Sequence, residues 1–177
     1  MPRIYVCSLS RIGQTVAQTD ASHLVTLINE STLVVRPPSI PAERHLFLGF
    51  NDILEPIDGM TPPAAEHVEQ LLDFLEGWNA EKPIVVHCFA GISRSTAAAF
   101  ITVCALRPER SEAEIAALIR AGSPSATPNL RLVRFADEIL GRRGRMVNAI
   151  EEIGRGHDAF EGHPFSLSLD PSGLDQR

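Results

Sequence analysis

The most constraining feature of this sequence is a short apolar segment that leads through a small loop into an apolar helix. Residues 83–87 read Pro-Ile-Val-Val-His, the pattern of a strand that is buried on both faces of a sheet. A helix is predicted from about residue 93 to residue 106, and its three consecutive alanines, 97–99, permit close packing. A buried strand joined to a buried helix needs a layer of structure on each side, so this segment favours an α/β fold.

The rest of the sequence predicts further strands and further helices. Periodicity and turn residues predict strands at residues 4–9, 23–28, 33–35 and 45–50. Helices are predicted after Thr61-Pro62, after a capping box at Ser111, after Thr127-Pro128 and at residues 146–153. We therefore expect a small central sheet flanked by helices. Residues 1–145 would form the main domain, and residues 146–177 a C-terminal helix and tail, packed on that domain or partly disordered.

Composition narrows the class of protein. A net charge of −6 argues against a broad nucleic-acid-binding face. Three irregularly spaced cysteines, at 7, 88 and 104, argue against a disulfide framework and a zinc site, and they favour a reducing compartment. The N-terminus lacks the pattern of a signal peptide, and the longest apolar run is far shorter than the roughly 20 residues that span a bilayer. We expect a cytoplasmic protein with no nucleic-acid partner, no membrane span, no metal and no cofactor.

The loop between the buried strand and the helix has the features of an anion site. Its backbone N–H groups can turn inward, and the start of the following helix adds unpaired N–H groups and the positive end of its dipole. Gly91 permits backbone angles that a side chain would oppose. Arg94 supplies a planar guanidinium that can hold two phosphate oxygens. The predicted phosphate-binding residues are Phe89, Ala90, Gly91, Ile92, Ser93 and Arg94.

Cys88 is the candidate nucleophile at the end of the buried strand. A positive environment favours its thiolate, which is the nucleophilic form of cysteine. Ser95 can donate a hydrogen bond to the sulfur and stabilise it as a leaving group. A lone cysteine is more often a buried structural residue, but a cysteine and an arginine at this spacing, between a strand and a helix, favour catalysis.

The run His-Cys-x-x-Gly-x-x-Arg-Ser at residues 87–95 resembles the signature of the protein tyrosine phosphatase superfamily. The helical second half and the modest length are most similar to the dual-specificity branch. The pair Asn51-Asp52 and the pair Pro128-Asn129 also fit the order of that branch, and the resemblance covers about residues 44–140.

The resemblance implies a two-step mechanism with a phosphocysteine intermediate. Asp52 matches the aspartate that first protonates the leaving oxygen and then activates water, and Asp58, in the same loop, is the alternative. The resemblance also implies that His87 orients the loop and tunes Cys88 through hydrogen bonds. Asn129 would brace the loop at residues 88–93, which we call the phosphate loop, or would simply be a polar residue in the first turn of a helix.

Departures from the family pattern bear on the substrate. No Lys-Asn-Arg-Tyr-like segment is present to build a deep phosphotyrosine cleft, and the variable loop positions 89, 90, 92 and 93 carry no charge. Phosphoinositide phosphatases of the superfamily often carry lysines at those positions. We therefore expect hydrolysis of phosphotyrosine on proteins, with phosphoserine and phosphothreonine as further substrates. A phosphoinositide or another small phosphoester remains the alternative substrate.

Two other classes of function fit parts of the pattern. A rhodanese-like protein also carries out sulfur or arsenate chemistry on a cysteine loop, but the spacing from Cys88 to Arg94 and the presence of Ser95 favour phosphate. A catalytically weak phosphotyrosine-binding module would share the fold. The presence of Cys88, Arg94 and a candidate acid argues against that reading.

Overall fold

A computed structural model describes residues 2–170, and its centre is a five-stranded sheet. The strands are β1 (Arg3–Ser8), β2 (His23–Ile28), β3 (His45–Gly49), β4 (Ile84–Cys88) and β5 (Phe165–Ser168). The helices are α1 (Ile12–Thr19), α2 (Ala65–Glu76), α3 (Arg94–Leu106), α4 (Glu112–Gly122), α5 (Leu130–Ile139) and α6 (Arg145–Ile153). The α/β fold class predicted from the sequence is confirmed.

The order of the strands places the end of β4 at the centre of one sheet edge. The order is β3-β2-β4-β1-β5, with β1 to β4 parallel and β5 antiparallel to β1. The carboxyl ends of the four parallel strands therefore meet at the same edge. Cys88, the last residue of β4, lies in register with Ser8, the last residue of β1. This is the edge at which open α/β sheets bind ligands.

Two hydrophobic clusters cover the two faces of the sheet. The smaller cluster joins Ile12 and Val16 of α1 to the strands β1, β2 and β4. The larger cluster contains helices α2 to α6, with α3 against the sheet. Every residue of α3 from 94 to 104 is buried. The alanines of α3 allow this helix to lie close to the sheet.

Most predicted strands are confirmed, but the fragment at residues 33–35 was wrong. These residues have no strand partner, and Leu33 and Val35 are exposed. The strand that precedes them, β2, already pairs with β3 on one side and β4 on the other. The short apolar run therefore has no free edge of β2 to join. Its side chains lie instead beside α1 in a surface cleft.

Two predicted helix starts were also wrong, because the residues that were expected to cap them have other partners. Helix α2 begins at Ala65 rather than at Pro62, since Thr61 exchanges hydrogen bonds with Asn51. Helix α5 begins at Leu130, and its cap is Asn129, whose Oδ1 accepts from the N–H of Leu132 at 3.1 Å. Ser111 caps α4 as predicted.

The C-terminal part of the described chain contributes one helix that was predicted and one strand that was not. The predicted helix at residues 146–153 is confirmed as α6, but β5 was not expected. It pairs with β1 and completes the sheet. Residues 171–177 of the predicted tail lie outside the described residues, and the domain division at residue 145 stays a prediction. Among the described residues, no helix is long and apolar enough to cross a membrane.

The buried carboxylate of Asp137 connects α5 to the start of α6. It accepts hydrogen bonds from the N–H groups of Gly144 at 2.7 Å and Met146 at 2.8 Å. We predict that Asp137→Ala lowers the free energy of unfolding by about 2 kcal/mol, because the donors lose a charged acceptor in the interior. Urea denaturation measures the change. Glu138→Ala, at the exposed neighbouring position, is the control, and equal effects of the two substitutions would contradict the prediction.

Candidate active site

Hydrogen bonds from neighbouring segments hold carbonyl groups of the loop at residues 88–93 so that they point away from its centre. Four of them accept hydrogen bonds from backbone N–H groups that lie outside the loop. The pairs are Leu9 to Phe89 at 3.1 Å, Gly162 to Ala90 at 2.8 Å, Thr127 to Ile92 at 2.9 Å and Asn129 to Ser93 at 3.1 Å. Because the N–H of a trans peptide points away from its carbonyl, the following N–H groups face the inside of the loop. The result is a concave ring of donors suited to an anion.

Cys88 lies at the bottom of this ring. Its Sγ accepts a hydrogen bond from the N–H of Gly91 at 3.2 Å and lies 3.1 Å from Oγ of Ser95. The side chain is buried, with 2% exposure, and Ser95 is fully buried. The predicted thiol and hydroxyl are therefore within hydrogen-bond distance of each other. Two donors can share the negative charge of a thiolate at this position.

Gly91 is required by the path of the loop. Its φ is +72°, and an added Cβ would lie 2.9 Å from the backbone carbon of Cys7 and from the backbone nitrogen of Ser8. Both the backbone angle and the contact with β1 therefore exclude a side chain. The loop can curve closely against the end of β1 only with glycine at this position.

The guanidinium of Arg94 is hydrogen-bonded through Nη1, whereas its Nε has no partner among the described residues. Its Nη1 donates to Oδ1 of Asn29 at 2.8 Å and to the carbonyl of Phe50 at 2.9 Å. These two acceptors follow β2 and β3, so the guanidinium is anchored to the same sheet edge as Cys88. Its Nε is one of three buried side-chain polar atoms with no hydrogen-bond partner among the described residues. A buried donor without a partner is costly, and a bound anion would satisfy it.

His87 is fully buried behind the loop. Its Nε2 lies 2.7 Å from Oγ1 of Thr26, and its Nδ1 lies 3.1 Å from the carbonyl oxygen of Cys88. Burial lowers the pKa of His87 to about 4, and nearby His45 and Arg94 act in the same direction. The imidazole is therefore neutral near pH 7. It holds the backbone of Cys88 in place without adding charge to the site.

Asp52 reaches the loop from the end of β3. Its Oδ1 accepts hydrogen bonds from Oγ of Ser93 and from Nδ2 of Asn129, both at 2.8 Å. Asn129 thus connects three parts of the site, because its backbone N–H also holds the carbonyl of Ser93. The alternative acid, Asp58, lies exposed in a turn before Gly59 of the same loop. The structure places Asp52, but not Asp58, directly against the phosphate loop.

The loop that carries Asp52 is itself closed at its base. The N–H of Asn51 donates to the carbonyl of Thr61 at 2.7 Å, and the N–H of Thr61 donates back to Oδ1 of Asn51 at 2.9 Å. Arg131 adds a hydrogen bond from Nε to the carbonyl of Pro63 at 2.7 Å. We call residues 51–63 the acid loop. Its closed base and its contacts with α5 limit the positions that Asp52 can take.

A C-terminal strap, residues 154–164, lies along the outside of the phosphate loop. The N–H of Gly162 holds the carbonyl of Ala90, and an added Cβ at Gly162 would lie 2.7 Å from the carbonyl oxygen of Gly91. Glu161 accepts hydrogen bonds from the hydroxyl groups of Ser8 and Ser10, which lower the pKa of its carboxyl group. The sequence carried no signal for these contacts, since they join residues about 70 to 150 positions apart along the chain.

Comparisons with known proteins show which family and which folds this chain resembles. The model of the protein-tyrosine phosphatase family matches residues 56–125, a segment that contains Cys88 and Arg94 but neither Asp52 nor Asn129. No curated protein matches the sequence. The matched family bears out the predicted enzyme class, a phosphomonoester hydrolase of the protein tyrosine phosphatase type.

Several solved structures have a similar fold. The structure of DUSP15 has a TM-score of 0.61 and 22% identity, and the match covers 86% of this chain and 92% of that chain. Human tyrosine phosphatase-like serine/threonine/tyrosine-interacting protein has a TM-score of 0.62 and 17% identity, with coverage of 81% and 94%. PTPMT1 in complex with PI(5)P has a TM-score of 0.55 and 18% identity, with coverage of 79% and 94%. These findings confirm the fold and the resemblance to the dual-specificity branch.

The buried position of His87 predicts a dependence of stability on pH. The unfolded chain protonates this histidine near pH 6.5, whereas the folded chain does so only near pH 4. The contribution of neutral His87 to stability is complete above pH 6.5 and is lost as the pH falls toward 4, with a slope of up to roughly 1.4 kcal/mol per pH unit. An NMR titration of the His87 imidazole measures its pKa in the folded protein. A midpoint near 6.5 would contradict the prediction.

The contact between the strap and the phosphate loop predicts an effect of Gly162→Ala. The added methyl group would displace the carbonyl of Gly91, so we expect the affinity for inorganic phosphate to fall by about tenfold, or about 1.4 kcal/mol. Calorimetric titration with phosphate measures the affinity. Gly13→Ala is the control, because an added Cβ in α1 meets no atom within 4 Å. Unchanged phosphate binding by the Gly162→Ala protein would show that the strap does not shape the loop.

Proposed function

We propose that this chain, which has the fold of the dual-specificity phosphatases and carries the matched protein-tyrosine phosphatase segment, hydrolyses phosphotyrosine on proteins through a phosphocysteine intermediate. Phosphoserine and phosphothreonine are further substrates in this proposal. One observation carries it: Sγ of Cys88 lies at the bottom of a ring of inward N–H groups, beside a buried Arg94 with an unpaired Nε. A phosphoryl group bound in this ring would present its phosphorus to the sulfur and its oxygens to the donors.

The first step transfers the phosphoryl group to the cysteine. The thiolate of Cys88 forms a bond to phosphorus while the bond from phosphorus to the ester oxygen breaks. Protonated Asp52 gives its proton to the departing oxygen, so that the product leaves as a neutral alcohol or phenol. Arg94 and the loop N–H groups stabilise the charge that spreads over the equatorial oxygens.

The second step releases phosphate and restores the enzyme. Asp52, now a carboxylate, takes a proton from a water molecule as the water oxygen bonds to phosphorus and the S–P bond breaks. The sulfur leaves as a thiolate, and the hydroxyl of Ser95, 3.1 Å away, can stabilise it by donating a hydrogen bond. His87, which is neutral and buried, takes no part in proton transfer in this scheme and supports the backbone of Cys88.

Asp52 is the proposed acid because of its position. Hydrogen bonds from Ser93 and Asn129 to Oδ1 hold it against the phosphate loop. In this arrangement Asn129 acts as a positioning residue for the acid as well as a brace for the loop.

Protein phosphoesters are the favoured substrate class because of the uncharged loop. Positions 89, 90, 92 and 93 are Phe, Ala, Ile and Ser, which offer no cation for additional phosphate groups. The alternative, a phosphoinositide or another small phosphoester, is supported by the likeness to PTPMT1, whose structure was solved with PI(5)P. A catalytically weak binding module is the further alternative. The presence of Cys88, Arg94 and Asp52 in one site favours catalysis over binding alone.

Substitution of Cys88 and Arg94 tests the proposed chemistry. We predict that Cys88→Ser abolishes turnover of a phosphotyrosine peptide while the peptide still binds, because a serine hydroxyl is a much weaker nucleophile at neutral pH. Arg94→Ala should lose both turnover and binding, because the bidentate anion contact is removed. Phosphate release measures turnover, and fluorescence anisotropy measures binding. Peptide binding without phosphate release by the wild type would favour the binding module, and turnover of thiosulfate alone would favour a sulfurtransferase.

Substitution of the two aspartates identifies the acid. We predict that Asp52→Ala lowers kcat by roughly 100-fold with a smaller effect on KM, because the leaving oxygen loses its proton donor. It should also remove the limb of the kcat pH profile that requires the protonated acid. Asp58→Ala, in the same loop, is the matched control and should keep kcat within a few-fold. The opposite result would assign the acid to Asp58.

A further inference from the structure

A cleft of about 390 Å³ opens beside the phosphate loop, on the side of the acid. Ser93 of the phosphate loop and Asp52 form part of its wall. The acid loop, the start of α5, the end of α6 and the start of the strap form the rest. The cleft therefore shares two residues, Ser93 and Asp52, with the candidate active site.

The lining of the cleft is mostly apolar. Its apolar side chains come from three separate elements and include Leu54, Pro128, Leu130 and Ile150. Ile150 is nearly buried at the base, whereas Leu54 is about half exposed at the mouth. Its volume lies at the lower end of the range for small-ligand sites, which suits one or two side chains rather than a folded domain.

Other apolar side chains of the two loops that carry the site are also exposed. They are Ile57 and Met60 of the acid loop and Phe89 of the phosphate loop, and Leu54 itself is about half exposed. Exposed apolar side chains at a site can mark a surface for a partner or substrate. The charged residues of the lining are two acids, Asp52 and Glu151, and one base, Arg155, which does not favour an acidic side chain in the cleft.

We propose that this cleft binds an apolar side chain that lies next to the phosphorylated residue of a peptide substrate. The proposal rests on the phosphatase function proposed above and adds a preference for the sequence around the phosphate. An extended peptide that places its phosphate in the loop brings its neighbouring residue over Asp52 and into the cleft. The net charge of −6 and the uncharged loop positions disfavour an anionic lipid surface as the occupant.

Pairs of phosphotyrosine peptides test this preference. The peptides of each pair differ only in having Leu or Asp immediately before, or immediately after, the phosphotyrosine. We expect the wild type to prefer Leu by about tenfold in kcat/KM at one of these positions. Leu54→Ser should reduce this ratio to below threefold, because the wall at the mouth loses its apolar side chain. Since the readout is a ratio within one variant, a general loss of activity cancels.

The control substitution is Leu118→Ser, on the exposed side of α4 and outside the cleft, which should leave the ratio unchanged. The absence of a Leu preference at both positions, or its persistence in Leu54→Ser, would overturn the proposal. Faster hydrolysis of phosphoinositides in vesicles than of any peptide, with a loss in Leu54→Ser, would instead assign the cleft to an acyl chain. Hydrolysis of p-nitrophenyl phosphate by the wild type separates these results from a failure of the proposed phosphatase function, which would abolish that hydrolysis as well.

Discussion

The candidate site depends on four backbone hydrogen bonds that hold the carbonyl groups of the phosphate loop outward. A loop of six residues has no regular ladder to fix its peptide planes, so the donors must come from other segments. They come from the end of β1, from the segment before α5, from the N-cap of α5 and from the strap. Each outward carbonyl places the next N–H inside, and the anion site is the sum of these placements.

The side chains around the phosphate loop are likewise held in place by several separate segments. Arg94 is anchored by acceptors at the ends of β2 and β3, which leaves another part of its guanidinium for an anion. His87 supports the loop from below as a neutral group, so the positive charge of the site resides in Arg94 and the helix start rather than in the imidazole. Asp52 arrives from a loop whose base is closed by Asn51. The reactive groups thus come from separate strands but meet at one sheet edge.

The parts of the site that could be predicted from sequence are those in which neighbours along the chain are also neighbours in space. Residues 87–95 run from a strand into a helix, so their spacing alone indicates the positions of Cys88, Arg94 and Ser95. Asn29, Gly162 and β5 could not be predicted, because their contacts join distant segments and leave no periodic pattern. The helix starts at Thr61 and Thr127 were predicted wrongly because local capping preference lost to tertiary hydrogen bonds, in which Thr61 closes the acid loop and the N–H of Thr127 holds Ile92.

The position of the strap near the C-terminal end of the described chain has a consequence during protein synthesis. Gly162 follows the phosphate loop by about 70 residues along the chain. At synthesis rates of roughly 5–20 residues per second, the loop is therefore made several seconds before the residue that holds the carbonyl of Ala90. During that interval Cys88 belongs to a chain whose anion ring is still open at Ala90, and whose first strand lacks its antiparallel neighbour. The loop around the thiol of Cys88 therefore gains its last backbone hydrogen bond, from Gly162, only when the C-terminal segment that leads to β5 reaches the edge of β1.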